Sequence, residues 1–272
     1  MGNGRRVTGR AFARITLLVT PACRQARRYS LLVTFWLALT SSILAYSFVV
    51  FGDNQGYYRI LNDLLAKVKQ EKNLTFIVQT GDFVPYGEEE HYVKYRRLMA
   101  ELDLSYYQVM GNHDGVQGGW RRFARHFGRD YYSFDYQGDR FIFLNNAFKE
   151  SFDQAQFDWL KRELARPGAR HKFVFMHKPV FDPSEIYRDH VMSGRAVTEE
   201  LIGLFSKYKV DRVFAGHIHG YARSERDGVV YTVSGGAGGS LYLPPEFGGA
   251  YNYVRVDVNG DRISDRMVRV YE

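Results

Sequence analysis

Five apolar runs in this chain stop in the same way. "FVVFGDNQG" closes on Gly52, Asp53 and Gln55, and "FIVQTGD" on Gly81 and Asp82. "QVMGNHD" closes on Gly111, Asn112, His113 and Asp114, "FVFMHKP" on His177, and "RVFAGHIHG" on Gly216, His217 and His219. Short runs rich in Val and Phe and ended by glycine turns are strands rather than helices. In α/β folds the carboxyl ends of strands lie along one edge, where ligands bind. Five such ends side by side gather Asp53, Asp82, Asn112, Gln55 and four histidines into a small volume. Without a cation, burying two carboxylates among neutral imidazoles costs several kcal/mol. With cations, the same groups supply hard oxygens and borderline nitrogens for divalent transition metals. Taken singly, each piece is ordinary. A lone Gly-Asp is a turn, and a lone histidine such as His177 is a satisfied core residue. The ordered set of five is what points to a metal centre.

The intervening sequence alternates these runs with helical patterns. Ile60, Leu61, Leu64, Leu65 and Val68 recur at helical spacing within 58–69; a charged helix is expected around 88–102, and further helices near 120–127, over 152–164 with Phe157, Leu160 and Leu164 inward, and over 198–208. "YYSFDY" and "RFIFLN" straddle Gln137-Gly138-Asp139, a hairpin signal, and the last two strands are joined at Asn259-Gly260. Residues 46–272 are thus expected to form one domain, two packed sheets with helices outside.

In order and approximate spacing, "GDNQG", the Gly81-Asp82 pair, "GNHD", His177 and "GHIH" resemble the motifs of calcineurin-like metallophosphoesterases. "YYSFDYQGDRFIFLNNA", "QFDWLKREL" and "SGGAGG" resemble linking segments of the same superfamily. The resemblance implies an α/β fold, a four-layer α/β/β/α sandwich of two mixed sheets with helices outside, with two divalent metal ions (Mn, Fe or Zn) at the strand ends. It implies that Asp53, position 55, Asp82 and His219 hold one ion and that Asp82 bridges. It further implies that Asn112, His177 and His217 hold the other, and that His113 is the catalytic acid, oriented by Asp114. The activity implied is hydrolysis of a small phosphomonoester or phosphodiester by a hydroxide bridging the two ions. Such ions, roughly 3.5–4 Å apart, bring the pKa of a shared water toward neutrality and clamp the phosphoryl oxygens. The chain departs from the superfamily at Gln55, where histidine is usual. A carboxamide oxygen is a harder and weaker ligand than imidazole, so the first site is expected to favour Mn²⁺, Fe or Mg²⁺ over Zn²⁺. Tyr86 lies four residues after Asp82, one too many for the tyrosine of purple acid phosphatases, so the chain is not placed in that branch. Tyr57, Tyr58, Trp120 and the segments 181–190 and 238–249 are expected to border the site.

Composition narrows the partners. The net charge of +7 resides in residues 1–30, which hold seven arginines and no acid; without them thirty basic residues face thirty acidic ones. No nucleic-acid-binding face is therefore expected. Residues 31–45, "LLVTFWLALTSSILA", are uncharged and follow that basic flank, the pattern of a cleaved signal peptide or of a single membrane anchor. Either places the domain on the periplasmic or extracellular face, with membrane association through residues 31–45 in the second case. Cys23, the only cysteine, precedes this run, so disulfides are excluded from the domain. Two other functions fit the same residues less well. One is a non-catalytic metal-binding or interaction domain whose site has eroded at Gln55. The other is a metal-stabilised structural protein, although structural sites are usually closed.

Overall fold

A computed structural model describes residues 45–272, so the basic segment, Cys23 and all but the last residue of the apolar run lie outside the described residues. Among the described residues no helix is long and apolar enough to cross a membrane.

The first sheet takes strands β1 (Tyr46–Phe51), β2 (Leu74–Gln79), β3 (Ser105–Gln108), β10 (Asn252–Asn259) and β11 (Arg262–Arg269), in the order β11-β10-β1-β2-β3. Strands β1, β2 and β3 run parallel; β10 pairs antiparallel with both β1 and β11. The second sheet takes β4 (Tyr132–Tyr136), β5 (Asp139–Phe143), β6 (Lys172–Phe175), β7 (Arg212–Ala215), β8 (Tyr221–Arg226) and β9 (Val229–Ser234), in the order β4-β5-β6-β7-β9-β8. Its four central strands are parallel and its two edges antiparallel. Both sheets are mixed, as the sequence implied.

Alternation along the strands decides the layers. One face of β1, β2 and β10 (Phe48, Val50, Phe76, Val254, Val256) meets Phe141, Phe143, Phe173, Phe175 and Phe214 of the second sheet. Ring centroids there lie 5.0 Å apart for Phe141–Phe173 and 5.2 Å for Phe76–Phe141, so the sheets are joined by interlocked aromatics. The opposite face of the first sheet buries helices α1 (Tyr58–Val68), α2 (Glu89–Ala100) and α4 (Gly119–Phe127). Leu61, Leu64, Leu65 and Val68 of α1 point inward, each contributing about 2 kcal/mol of apolar burial. The far face of the second sheet takes α5 (Gln154–Ala165) and α6 (Arg195–Lys207). Helix α5 begins where the Asp153 carboxylate accepts the Gln156 N–H at 2.8 Å. Four layers result. A further helical turn, α3, covers only Asn112–Gly115.

Two details differ from the sequence reading. Strand β8, "YARSER", was not expected; it is an edge strand with a single buried residue, Ala222, and polar side chains on four of its six positions, so it lacks an apolar face. The last hairpin turns at Gly260–Asp261, because Asn259 still pairs with Arg262. The first hairpin turns where expected, with Gln137 and Gly138 at φ of 53° and 85°, the left-handed pair that a two-residue turn requires.

Candidate active site

The parallel strands of both sheets deliver their carboxyl ends to one place. The first sheet brings Asp53 and Gln55 after β1, Asp82 after β2, and Asn112 and His113 after β3. The second brings His177 after β6 and His217 and His219 after β7. Hydrogen bonds tie the two sets together: His177 Nδ1 donates to the Thr80 carbonyl at 2.9 Å, and the His217 amide donates to both Asp53 carboxylate oxygens at 3.0 and 2.9 Å. Asp53, Gln55, Asp82 and His217 adopt positive φ, at 65°, 43°, 55° and 68°. Left-handed backbone at four non-glycine positions is strain concentrated at one site, held by the sheets behind it. Gly111 shows how tight the approach is: a Cβ there would overlap the Asp82 carboxylate.

Asp82 sits in the middle. Its Oδ1 accepts the His113 amide at 2.8 Å. Its Oδ2 lies 3.4 Å from Gln55 Nε2, 3.5 Å from His177 Nε2 and 3.9 Å from His113 Nε2. His177 Nε2 is also 3.0 Å from Asn112 Oδ1 and 3.2 Å from His217 Nδ1. On the other side His219 Nε2 is 3.7 Å from Asp53 Oδ1 and 3.3 Å from Gln55 Nε2. All seven residues expected as ligands are brought together.

The histidines are oriented from behind. His177 and His219 each give Nδ1–H to a backbone carbonyl, Thr80 and Ser240 (2.7 Å), which turns Nε2 inward. This is how proteins prepare imidazole for a metal. His113 Nδ1 donates to the Pro85 carbonyl at 2.8 Å, and its Nε2 likewise faces the site.

The structure corrects one expectation. Asp114 does not orient the His113 ring. It is fully buried, and its carboxylate accepts the amides of Asp82 (2.8 Å), Gly111 (2.7 Å) and Val84 (3.1 Å). Within the single turn of α3, residues 113 and 114 point to different sides, so sequence adjacency misled. Asp114 fixes the loops that carry Asp82 and His113, and the Pro85 carbonyl holds the ring instead.

With this geometry in place, the comparisons fall into line. A model of the calcineurin-like phosphoesterase family matches residues 46–221. The chain belongs to that family. It is similar to serine/threonine-protein phosphatase CPPED1 of Danio rerio, 33% identical over 190 residues that cover 61% of this chain and 60% of that one. It is also similar to purple acid phosphatase 23 of Arabidopsis thaliana, 31% identical over 134 residues, 48% of this chain and 28% of that one. The chain thus spans less than two thirds of the length of either relative. Among solved structures, a purple acid phosphatase from yellow lupin seeds superposes with a TM-score of 0.67 at 16% identity, over 84% of this chain and 52% of that one. That likeness concerns the fold.

The electrostatics of the bare residues are frustrated. Burial pushes the Asp53 carboxyl well above the usual carboxylate range, against the opposing charge on His177. Burial also opposes ionisation of Asp82, yet the His177 charge and hydrogen bond hold it below that range. Burial disfavours charge on His177, but the Asp82 carboxylate raises it to about 9. Burial and the His177 charge drive His217 down to about 2, and burial takes His219 down to about 4. One proton is being asked to neutralise a site built for more positive charge. The donor set therefore fits divalent cations: Asp82, His177 and His217 already bring ligand atoms within 4.8 Å of one another. A second group, Glu88, Glu90 and His91, is similarly close, but its side chains are largely solvated and His91 Nδ1 is bound to the Tyr86 carbonyl.

Sequence reading missed Asn146. Its Oδ1 accepts the amides of His177 and Lys178 at 2.9 and 3.1 Å, setting the turn that aims His177. The signal was present, since "RFIFLNN" is another apolar run with a polar end. Tyr242, whose ring stacks on His219 at 4.0 Å, lies in the segment 238–249 that was expected to border the site. Of the loop residues expected to border the site, His190 comes within 6.2 Å of the His217 ring, whereas Arg188 is exposed and paired with Glu185.

Proposed function

We propose that this domain is a phosphoester hydrolase working with two divalent ions, one among Asp53, Gln55, Asp82 and His219 and one among Asp82, Asn112, His177 and His217. The observation that carries the reading is the central Asp82 carboxylate, with Oδ2 left toward both groups while the His113 amide pins Oδ1. When bound, the ions supply Lewis acidity, a water acidic enough to attack and positive charge opposite the phosphoryl oxygens. The remaining work belongs to side chains. His113, held through Nδ1, carries a proton on Nε2 to the departing oxygen. Asp114 keeps the β2 and β3 loops in register so that this proton and the ligands stay aligned.

Gln55 favours a second arrangement of the first site. Its Nε2 lies between Asp82 Oδ2 and His219 Nε2, where the carboxamide acts as a built-in donor in place of an ion. Rotation of the amide puts Oε1 there as a ligand. Metal analysis of the purified domain after incubation with Mn²⁺, Fe or Zn²⁺ separates the two arrangements as two ions or one. The activity itself is tested by turnover of a chromogenic phosphomonoester and the matching diester with each metal. No hydrolysis of either ester under any condition would leave a non-catalytic binding domain.

We further propose that residues 31–45 carry the domain across a membrane, as a cleaved signal or a retained anchor. N-terminal sequencing of protein from cell fractions tests this. A mature start near Tyr46 means cleavage, and an intact chain in the membrane fraction means an anchor. An intact chain in the cytoplasm overturns the proposal.

A further inference from the structure

Three aromatic side chains remain half in solvent around the site: Tyr57 at 50% and Tyr86 at 53% on loops, and Trp120 at 54% in the first turn of α4. Scattered exposed aromatics need no explanation, but these three sit on segments whose backbones are locked together. Gly56, before Tyr57, packs against Pro85 so closely that a Cβ would meet Pro85 Cδ at 2.8 Å. The Pro85 carbonyl holds the His113 ring. The Tyr86 carbonyl accepts from the Glu88 amide at 2.9 Å and from His91 Nδ1 at 3.1 Å. The Gly87 carbonyl accepts from Arg122 Nη1 at 2.7 Å. A Cβ on Gly87 would meet the Cα of Gly119, the residue before Trp120, at 2.6 Å. The backbone under each ring is fixed while the ring is left free.

The position of Tyr86 gives this rim a direction. Its ring centroid lies 6.4 Å from that of His113, with the planes tilted by 36°. In the hydrolysis proposed above, water gives one proton to solvent as its oxygen bonds to phosphorus, the bond from phosphorus to the leaving oxygen breaks, the His113 proton goes to the leaving oxygen, and His113 takes a proton back from solvent. Whatever that oxygen was attached to therefore leaves on the Tyr86 side. Trp120 follows Gly119, whose Cα packs under Gly87, and the Arg121 guanidinium lies 4.7 Å above its ring. The rim offers exposed ring faces on a fixed backbone, which suits stacking.

We propose that Tyr86, flanked by Trp120, selects substrates whose leaving group is a planar aromatic ring system. This rests on the phosphoester-hydrolase reading. The test compares kcat/KM for benzyl phosphate and glycerol phosphate, both alkyl esters, in the metal-loaded wild type and in Tyr86→Ala, Trp120→Ala and Tyr86→Phe. Tyr86→Ala should lower the benzyl-over-glycerol preference about tenfold, the effect of one base-on-aromatic stack. Trp120→Ala should lower it less, and Tyr86→Phe should retain it, since the ring and not the hydroxyl is the working part. Calorimetric affinity for benzylphosphonate relative to methylphosphonate should fall in parallel. An unchanged preference in both alanine variants, with the wild type active on both esters, overturns the role of the rim alone. A wild type that hydrolyses neither ester overturns the hydrolase reading and this inference with it.

Discussion

Both edges of the sandwich bury carboxylates, and they neutralise them in opposite ways. At the amino ends of the strands, Asp139 is fully buried and brings its own counter-ion. Arg170 donates to its two oxygens at 2.6 and 3.0 Å, and Tyr46 Oη and the His171 amide complete the shell. At the carboxyl ends, Asp53 and Asp82 are as deeply buried, yet among the described residues their ion-pairing partners are imidazoles. A buried pair that closes on itself fixes structure and has no room for a ligand. A buried carboxylate pair left short of positive charge has to obtain it from outside the chain, and that shortage is what makes one edge a site and the other a seam.

Substitutions at the two edges should separate accordingly. The largest effect is expected from Asp82→Ala, which removes the group shared by both ligand sets. Metal analysis should find neither ion retained, and turnover should fall below that of any other single variant. A variant that keeps two ions contradicts the central role of Asp82. His113→Ala should lower turnover by about 10²–10⁴ with metal content unchanged; equal activity in the variant removes His113 from the reaction. Asp139→Asn should do the reverse. Leaving the part-buried Arg170 without its counter-charge should cost about 3 kcal/mol in urea unfolding, while metal content stays at the wild-type level. Loss of metal in this variant would erase the distinction between the edges.

The smallest and sharpest test is pH. In metal-free protein the raised His177 stabilises the fold fully below its ordinary value of 6.5 and loses that contribution as pH rises toward about 9. Asp114, pushed up to about 8 by burial and by the Asp82 charge, acts in the same direction. The melting temperature of the metal-free domain should therefore fall between pH 6.5 and 9. The metal-loaded domain should not show this fall, because the ligands bind deprotonated and affinity rises with pH. Parallel profiles with and without metal would mean that the imidazoles do not serve the ions.

Much of this was legible in the chain because it is local. Alternation gave the strands, helical spacing gave the faces of α1 and α5, and the polar ends of the runs gave the candidate ligands, since a strand that stops at a glycine turn must present its next side chain at the sheet edge. Strand β8 was illegible because an edge strand needs no apolar face. The role of Asp114 was illegible because it depends on which way a carboxylate turns within one helical turn, and that is settled by the free amides of Gly111, Val84 and Asp82. Asn146 obeyed the same rule as the other strand ends but sits in a segment that the resemblance marked only as a linker.

The sequence by itself determined most of the strands and helices through periodicity, the family through the order and resemblance of its motifs, and a set of candidate metal ligands at the polar ends of its strands. Only the tertiary structure decided what joins them. It aims His177 by a carbonyl from the other sheet, a contact that exists only once the two sheets have packed, and it holds His113 by Pro85 and sets Tyr86 beside that ring, because β2 and β3 lie side by side in the first sheet.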